Sequence, residues 1–216
     1  MLITLRCYLM SLSMSKFIVI EGSEGVGKSS QIQTIQTYLE ERKIKYVLTR
    51  EPGGTELGES IRTIILDEKN NTDDISDSLL FYAARYENLK KIIIPALERG
   101  CVVISDRFHY STLVYQGIVG NNDVVKKIHY AFDEIFSNII NHVIYFYTTP
   151  EISFERISKR SKTDKFESRG IEYLKDILQG YESVFSDIDN LIKIDTSMDK
   201  NTTKKNLISH LDKIFS

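Results

Sequence analysis

KFIVIEGSEGVGKSS, residues 16–30, carries two signals in one stretch. KFIVIE (16–21) is a continuous apolar run, the pattern of a strand buried on both faces. The residues after it fit G-x-x-x-x-G-K-S/T, with Gly22, Gly27, Lys28 and Ser29 in the required places. Such a loop follows a strand, opens a helix and turns its backbone N–H groups toward a phosphate, where the helix dipole adds positive potential. Gly22, Ser23, Glu24, Gly25, Val26, Gly27, Lys28 and Ser29 are therefore the candidate residues for binding a nucleotide's phosphates. Lys28 would reach the β- and γ-phosphates, and the Ser29 hydroxyl would serve Mg²⁺. One residue sits badly in this picture. Two unit charges about 4 Å apart interact by ~1 kcal/mol in water and ~4 kcal/mol at an effective dielectric of ~20. A carboxylate at position 24 aimed at phosphate would weaken binding, so Glu24 points either to solvent or at something else.

Working outward, strand and helix signals alternate from residue 16 onward. A helix is expected from Lys28 to about Arg42, with Ile32, Ile35 and Leu39 at helical spacing. KYVLT (45–49) reads as a strand, REPGG (50–54) as a turn and 55–67 as a helix with Leu57, Ile61, Ile64 and Ile65 inward. A long helix spans about 75–99, with Pro95 near its last turn and Gly100 as its stop. CVVIS (101–105), HVIYFY (142–147) and LIKID (191–195) read as strands. Helices are expected over 108–117, 122–136, from Pro150, and over 171–185 and 200–214. The pattern predicts an α/β fold, a five-stranded parallel sheet flanked by helices. It also predicts one domain over 15–216, preceded by a non-core extension (1–14), with Met14 where a start would be natural.

The 216 residues include 28 basic and 30 acidic ones, so no overall field would draw in nucleic acid or an acidic membrane. Neither class is expected as a partner. Two cysteines exclude a disulfide scaffold, and Cys101 is expected to be a buried thiol. Four scattered histidines show no zinc-ligand spacing. No apolar run approaches the roughly 18 residues that cross a bilayer.

Two further motifs carry chemistry. VVISDR ends an apolar strand in Asp106, which delivers a carboxylate to the phosphate end of a sheet, as a Mg²⁺-associated acid requires. Arg107 follows and enters the same crevice, suited to holding a phosphate through two N–H groups. Arg50 ends the second strand and emerges at the same edge if the sheet is parallel. Two arginines beside a phosphate loop provide for one more anion than a nucleotide hydrolase needs, so the acceptor is expected to be a phosphate itself.

FIVIEGSEGVGKSSQ, TREPGGTELGESIR, LLFYAARYE, VVISDRFHYSTLVYQG and TPEISFERISKRSKTDKFE occur in this order. Together they resemble the thymidylate kinases, more the bacterial type, over about 16–215. REPGGT and DR-x-x-x-ST-x-x-YQG are far more specific than the loop alone. The resemblance implies a P-loop nucleoside-monophosphate kinase fold with a lid at about 158–170. It implies a cytoplasmic, homodimeric enzyme that passes the γ-phosphoryl of MgATP to dTMP. Arg50 and Arg107 match arginines that clasp the acceptor phosphate. Phe81 matches an aromatic that stacks on thymine, and Arg85, one helical turn on, matches the arginine that hydrogen-bonds the base. Thr112 and Gln116 match residues near the base, and Tyr115 one that crowds the sugar 2′ position. Glu24 matches an acid facing the sugar 3′-hydroxyl. Arg160 would be the lid arginine at the transferring group, supported by Arg156 and Lys165. Tyr82 is expected in the core. Lys28, Asp106, Arg107 and Arg160 make up the expected catalytic set, with Ser29 and Asp106 on the metal.

The sequence departs from the family at Tyr147, where Asp is common, at Lys165, where Arg is common, and at Val114, where a small residue is usual. A lysine cannot fork onto a phosphate as arginine does. Three rival readings fit less well. SKTD (161–164) is too far from HVIYFY to be the guanine-reading motif of a GTPase. A kinase for AMP, GMP or UMP would not be expected to carry REPGGT with STLVYQG. Two acceptor arginines and the Phe81/Arg85 pair speak against a non-catalytic ATP-driven switch. Ile92, Ile93, Ile94 and Leu97 would either pair with a second chain or fill the core.

Overall fold

The computed structural model describes residues 15–67, 69–159 and 169–216. Five strands form one all-parallel sheet in the order β2-β3-β1-β4-β5: β1 Phe17–Glu21, β2 Tyr46–Arg50, β3 Val102–Asp106, β4 His142–Tyr147 and β5 Leu191–Asp195. The extension 1–14 and most of the lid segment lie outside the described residues.

The apolar run at 17–21 is central because both of its faces are covered. Phe17 and Val19 join Val103, Val143 and Tyr145 in one core, while Ile18 and Ile20 join Val102, Ile104, Ile144 and Phe146 in the other. Alternate side chains of a strand point to opposite faces, so a slip of one residue would exchange the two sets. That register sets the chemistry at the strand ends. Arg50 pairs with Asp106 across β2 and β3, and Ile20 pairs with Asp106 across β1 and β3.

The helices are α1 Lys28–Glu41, α2 Glu56–Leu66, α3 Asp74–Asn88, α4 Ile94–Glu98, α5 His109–Thr112, α6 Asp123–Ser137, α7 Pro150–Ser158, α8 Gly170–Val184 and α9 Lys200–Phe215. Side chains cap α2 (Thr55), α3 (Asp73), α6 (Asn122), α7 (Thr149) and α9 (Asp199). Helix α1 has no side-chain cap: its N-cap is Gly27, at φ 88°, and its first turn holds no acid. Its orphan N–H groups are thus left for an external anion.

Two helices expected to be regular contain π turns. Leu89–Ile93 links α3 to α4, and Leu113–Val119 continues α5. The first has a cause in Pro95, which has no N–H and whose ring clashes with the carbonyl four residues back. Helix α2 corrects another expectation. Ile61 and Ile65 are buried against Ala84, but Leu57 and Ile64 are 51% and 44% exposed. Apolar residues at helical spacing marked both its buried stripe and an outer one. Cys101 is half-buried rather than buried. Tyr82 is in the core, stacked on Phe132 at 5.3 Å. Ile93 and Leu97 are core residues, while Ile92 and Ile94 are partly exposed. The unusual Val114 is fully buried against α8, where a Cβ at Gly180 would lie only 3.0 Å from its Cγ1. The larger side chain at 114 is accommodated by the missing one at 180.

Candidate active site

A crevice of about 580 Å³ opens at the carboxyl ends of β1, β2 and β3. This is where parallel α/β sheets bind ligands. Ser23, Glu24, Gly25, Gly27, Lys28 and Ser29 line it from the loop, and Arg50, Asp106 and Arg107 from the strand ends. Phe81 and Arg85 of α3 and Thr112, Tyr115 and Gln116 from α5 and its π turn form the far wall. Two of the expected loop residues do not line the crevice. Val26 is buried in the core under α1. Gly22 has φ 142°, and a Cβ there would meet Phe146 O at 2.3 Å, so only glycine fits.

Lys28 curls over its own loop. Its Nζ donates to Gly22 O at 2.7 Å and to Ser23 O at 2.9 Å. Burial and the neighbouring Arg107 lower its pKa to about 8, against the pull of Asp106, Glu24 and Glu21. Incoming phosphate charge would oppose that shift.

Glu24 turns across the crevice. It accepts from Arg107 Nη2 at 2.5 Å and from Tyr115 OH at 2.6 and 2.8 Å. Burial pushes its carboxyl up, but Arg107 and then Lys28 outweigh burial and hold it below the ordinary value. Glu24 therefore points neither to solvent nor into the curve of the loop.

Arg107 has φ 69°, a left-handed conformation that costs a non-glycine residue roughly 1–3 kcal/mol. Its N–H donates to Ile20 O at 2.8 Å, and its carbonyl accepts from Ser105 Oγ at 2.7 Å. Those bonds hold the turn, and the guanidinium then reaches Glu24, Tyr115, Ser111 and Tyr181 at 2.5–3.2 Å. Sequence reasoning did not find the group that anchors this cluster. Glu21, fully buried at the end of β1, accepts from the N–H groups of Phe108 and Ser111, from Ser111 Oγ and from Tyr181 OH. Burial raises its pKa, against Arg107 and the hydrogen bonds from Ser111, Tyr181 and Phe108. An acid ending an apolar run was the available signal.

Arg50 forks onto Glu59 of α2 at 2.8 and 3.4 Å, and Glu59 also accepts from Gly54 N–H at 3.1 Å. The Glu51–Pro52 peptide is cis. Arg85 is almost fully buried. It donates to Glu51 Oε2 at 2.6 Å, to Phe108 O at 3.2 Å and to Thr112 Oγ1 at 3.0 Å. Its Nη1 is buried without a hydrogen-bond partner among the described residues. Arg62, also unforeseen, lines the crevice and donates to Pro52 O at 3.0 Å. Asp106 Oδ1 is likewise buried with no partner among the described residues, and Ser29 lines the same crevice. A carboxylate oxygen and a hydroxyl of this kind suit a hard cation such as Mg²⁺.

Arg160 and Lys165 lie outside the described residues. Arg156 is described, and its Nη2 donates to Thr196 O at 2.8 Å while its Nη1 lies 3.4 Å from Gly25 O. It ties α7 to the phosphate loop. No described helix is long and apolar enough to cross a membrane.

A family model described as thymidylate kinase matches residues 20–207. A thymidylate kinase of Francisella tularensis subsp. holarctica (strain LVS) is 37% identical over 206 residues, which is 94% of this chain and 98% of its own length. A thymidylate kinase of Caldicellulosiruptor saccharolyticus is 40% identical over 174 residues, 78% of this chain and 82% of its own. With a match running from β1 into α9 and these relatives aligned over most of their length, the chain belongs to the thymidylate kinase family.

Proposed function

We propose that the crevice joins MgATP and dTMP end to end, giving ADP and dTDP. Phosphoryl transfer from ATP to dTMP is the activity of the family. The assignment of residues rests on one observation: two arginines, Arg50 and Arg107, line the same crevice as a loop whose form suits a second phosphate. The ATP phosphates lie on the loop N–H groups and the open end of α1, with Lys28 on the γ-phosphate. The dTMP phosphate lies between Arg50 and Arg107. One of its oxygens attacks the γ-phosphorus, and the bond from that phosphorus to the β,γ-bridging oxygen breaks. The attacking dTMP oxygen is already anionic at pH 7, so no general base is needed. Lys28 and Arg107 offset the charge that spreads over the transferring group. Ser29 and Asp106 would hold Mg²⁺, which when bound neutralises phosphate charge. Arg160 of the lid is assigned to the transferring group by resemblance alone.

Thymine lies over Phe81, with Arg85 Nη1 toward a base carbonyl and Thr112 and Gln116 beside it. Tyr115 crowds the sugar, and Glu24 faces the 3′-hydroxyl. A panel of dTMP, AMP, GMP and UMP with MgATP tests the reading by ADP release. dTMP should lead the series, and a ribonucleotide turned over faster would overturn it. In the same assay Glu24→Ala loses a hydrogen bond to a charged group, worth about 1.5–3 kcal/mol, so KM for dTMP should rise about tenfold or more. KM for ATP should change far less; a change confined to ATP would remove Glu24 from the acceptor pocket.

The chain is also assigned to a homodimer. Leu57 and Ile64 of α2, Leu79 and Tyr86 of α3 and Phe132 of α6 are exposed apolar side chains, and α3 packs against both α2 and α6. A monomer at micromolar concentration in sedimentation would exclude this pairing.

A further inference from the structure

The four histidines looked scattered, but the fold gathers two of them with an acid. His109 of α5 and His129 of α6 lie 5.2 Å apart between ring centroids, with their planes only 14° apart. Asp133 follows His129 by four residues, one helical turn, and stands on the same face. Its Oδ1 lies 3.2 Å from His109 Nε2 and 3.8 Å from His129 Nε2. One donor atom from each of the three lies within 4.8 Å of the other two. His109 is wholly buried, yet neither of its ring nitrogens completes a hydrogen bond among the described residues, and its approach to Asp133 is a contact without hydrogen-bond alignment. A buried polar ring left in that state costs free energy and calls for a partner.

We propose that His109, His129 and Asp133 form a binding site for a zinc-type divalent ion, with water as fourth ligand. Two imidazoles and a carboxylate are the donors such an ion takes. Tetrahedral bonds of about 2.0–2.1 Å place ligand atoms about 3.3 Å apart, close to the two separations seen here. The outer partner is in place as well: His129 Nδ1 lies 3.0 Å from Tyr82 OH, which fixes the ring and leaves Nε2 for the ion. Asp133 is 41% exposed and gives the ion a way in. The nearby cation, Arg85, is matched by Glu51 at 2.6 Å. Bound there, the ion would clip the turn that carries Arg107 to α6.

The test uses the full chain, chelator-treated and free of nucleotide, titrated with Co²⁺. One tetrahedral Co²⁺ absorption band per chain is expected, displaced by Zn²⁺, and one equivalent of Zn²⁺ should raise the thermal midpoint by several degrees. Asp133→Asn is nearly isosteric on a half-exposed side chain. It should weaken binding by more than the about 10–100-fold typical of an outer partner. His129→Gln should do the same, while Asp106→Asn should leave the band intact. Absence of a band overturns the site, as does a band that survives both Asp133→Asn and His129→Gln or that disappears with Asp106→Asn. None of these outcomes depends on turnover, so a failed ion site leaves the kinase reading untouched.

Discussion

Arg107→Ala is expected to lower kcat/KM for dTMP by about 10³-fold, or ~4 kcal/mol of transition-state stabilisation. ATP affinity should change little, because the loop N–H groups and Lys28 remain. The size of the effect follows from the preparation of this side chain. Its backbone is held at φ 69° and its guanidinium is fixed by Glu24, Tyr115, Ser111 and Tyr181 before any ligand arrives. A cation positioned in advance acts on developing charge without reorganising. Removing it also strands Glu24, a buried carboxylate that would repel phosphate. The double variant Glu24→Gln/Arg107→Ala separates the two effects: if the orphaned charge caused the loss, the double variant would recover. It should recover only a small part. Arg107→Lys keeps the charge but not the fork, and should fall between Ala and wild type. Steady-state rates with dTMP varied, alongside direct ATP binding, check all four proteins. Turnover of Arg107→Ala within fivefold of wild type would move the acceptor phosphate elsewhere.

Much of this site was legible because strand ends are legible. Buried parallel strands read as apolar runs, and what ends them stands at the ligand-binding edge. Arg50 and Asp106 were found in that way, and their register pairing follows from the sheet. Phe81, Arg85, Thr112, Tyr115 and Gln116 were placed by resemblance, since a helix face alone does not tell a base-binding wall from core. Glu21, Ser111 and Tyr181 escaped because their meeting is tertiary: they come from β1, α5 and α8. The same holds for His109 and Asp133, 24 positions apart, because ligand spacing along a chain does not register groups that only the fold brings together. The π turns escaped for another reason. Apolar spacing does not distinguish a turn of four residues from one of five, and only Pro95 hinted at the first. Leu57 and Ile64 show the limit of periodicity in the opposite sense. Apolar spacing marks a stripe but not what covers it.

Arg85→Met is expected to destabilise the fold by about 3–5 kcal/mol, the usual result of removing one partner from a buried ion pair. Arg85 and Glu51 are 1% and 3% exposed and 2.6 Å apart, so neither charge has water to fall back on. Methionine keeps much of the stem volume, which confines the change mainly to the charge and its hydrogen bonds to Phe108 O and Thr112 Oγ1. The sign of the pH dependence identifies the cause. Burial already raises Glu51 to about 7, against the pull of Arg85, so without Arg85 the carboxyl rises further. A raised acid holds a proton in the folded state that the unfolded chain releases. Its stabilising contribution is complete below the unfolded pKa and is lost as pH rises through the folded one. Above about pH 7 the wild type has finished paying out that loss while the variant continues, at up to ~1.4 kcal/mol per pH unit. The gap between the two in urea unfolding should therefore widen from pH 7 to pH 9. Adding Glu51→Gln to Arg85→Met should flatten that slope and restore part of the stability. A simple packing defect predicts a gap independent of pH and no rescue by Glu51→Gln, and that result would show that the pair does not hold this wall of the crevice by charge.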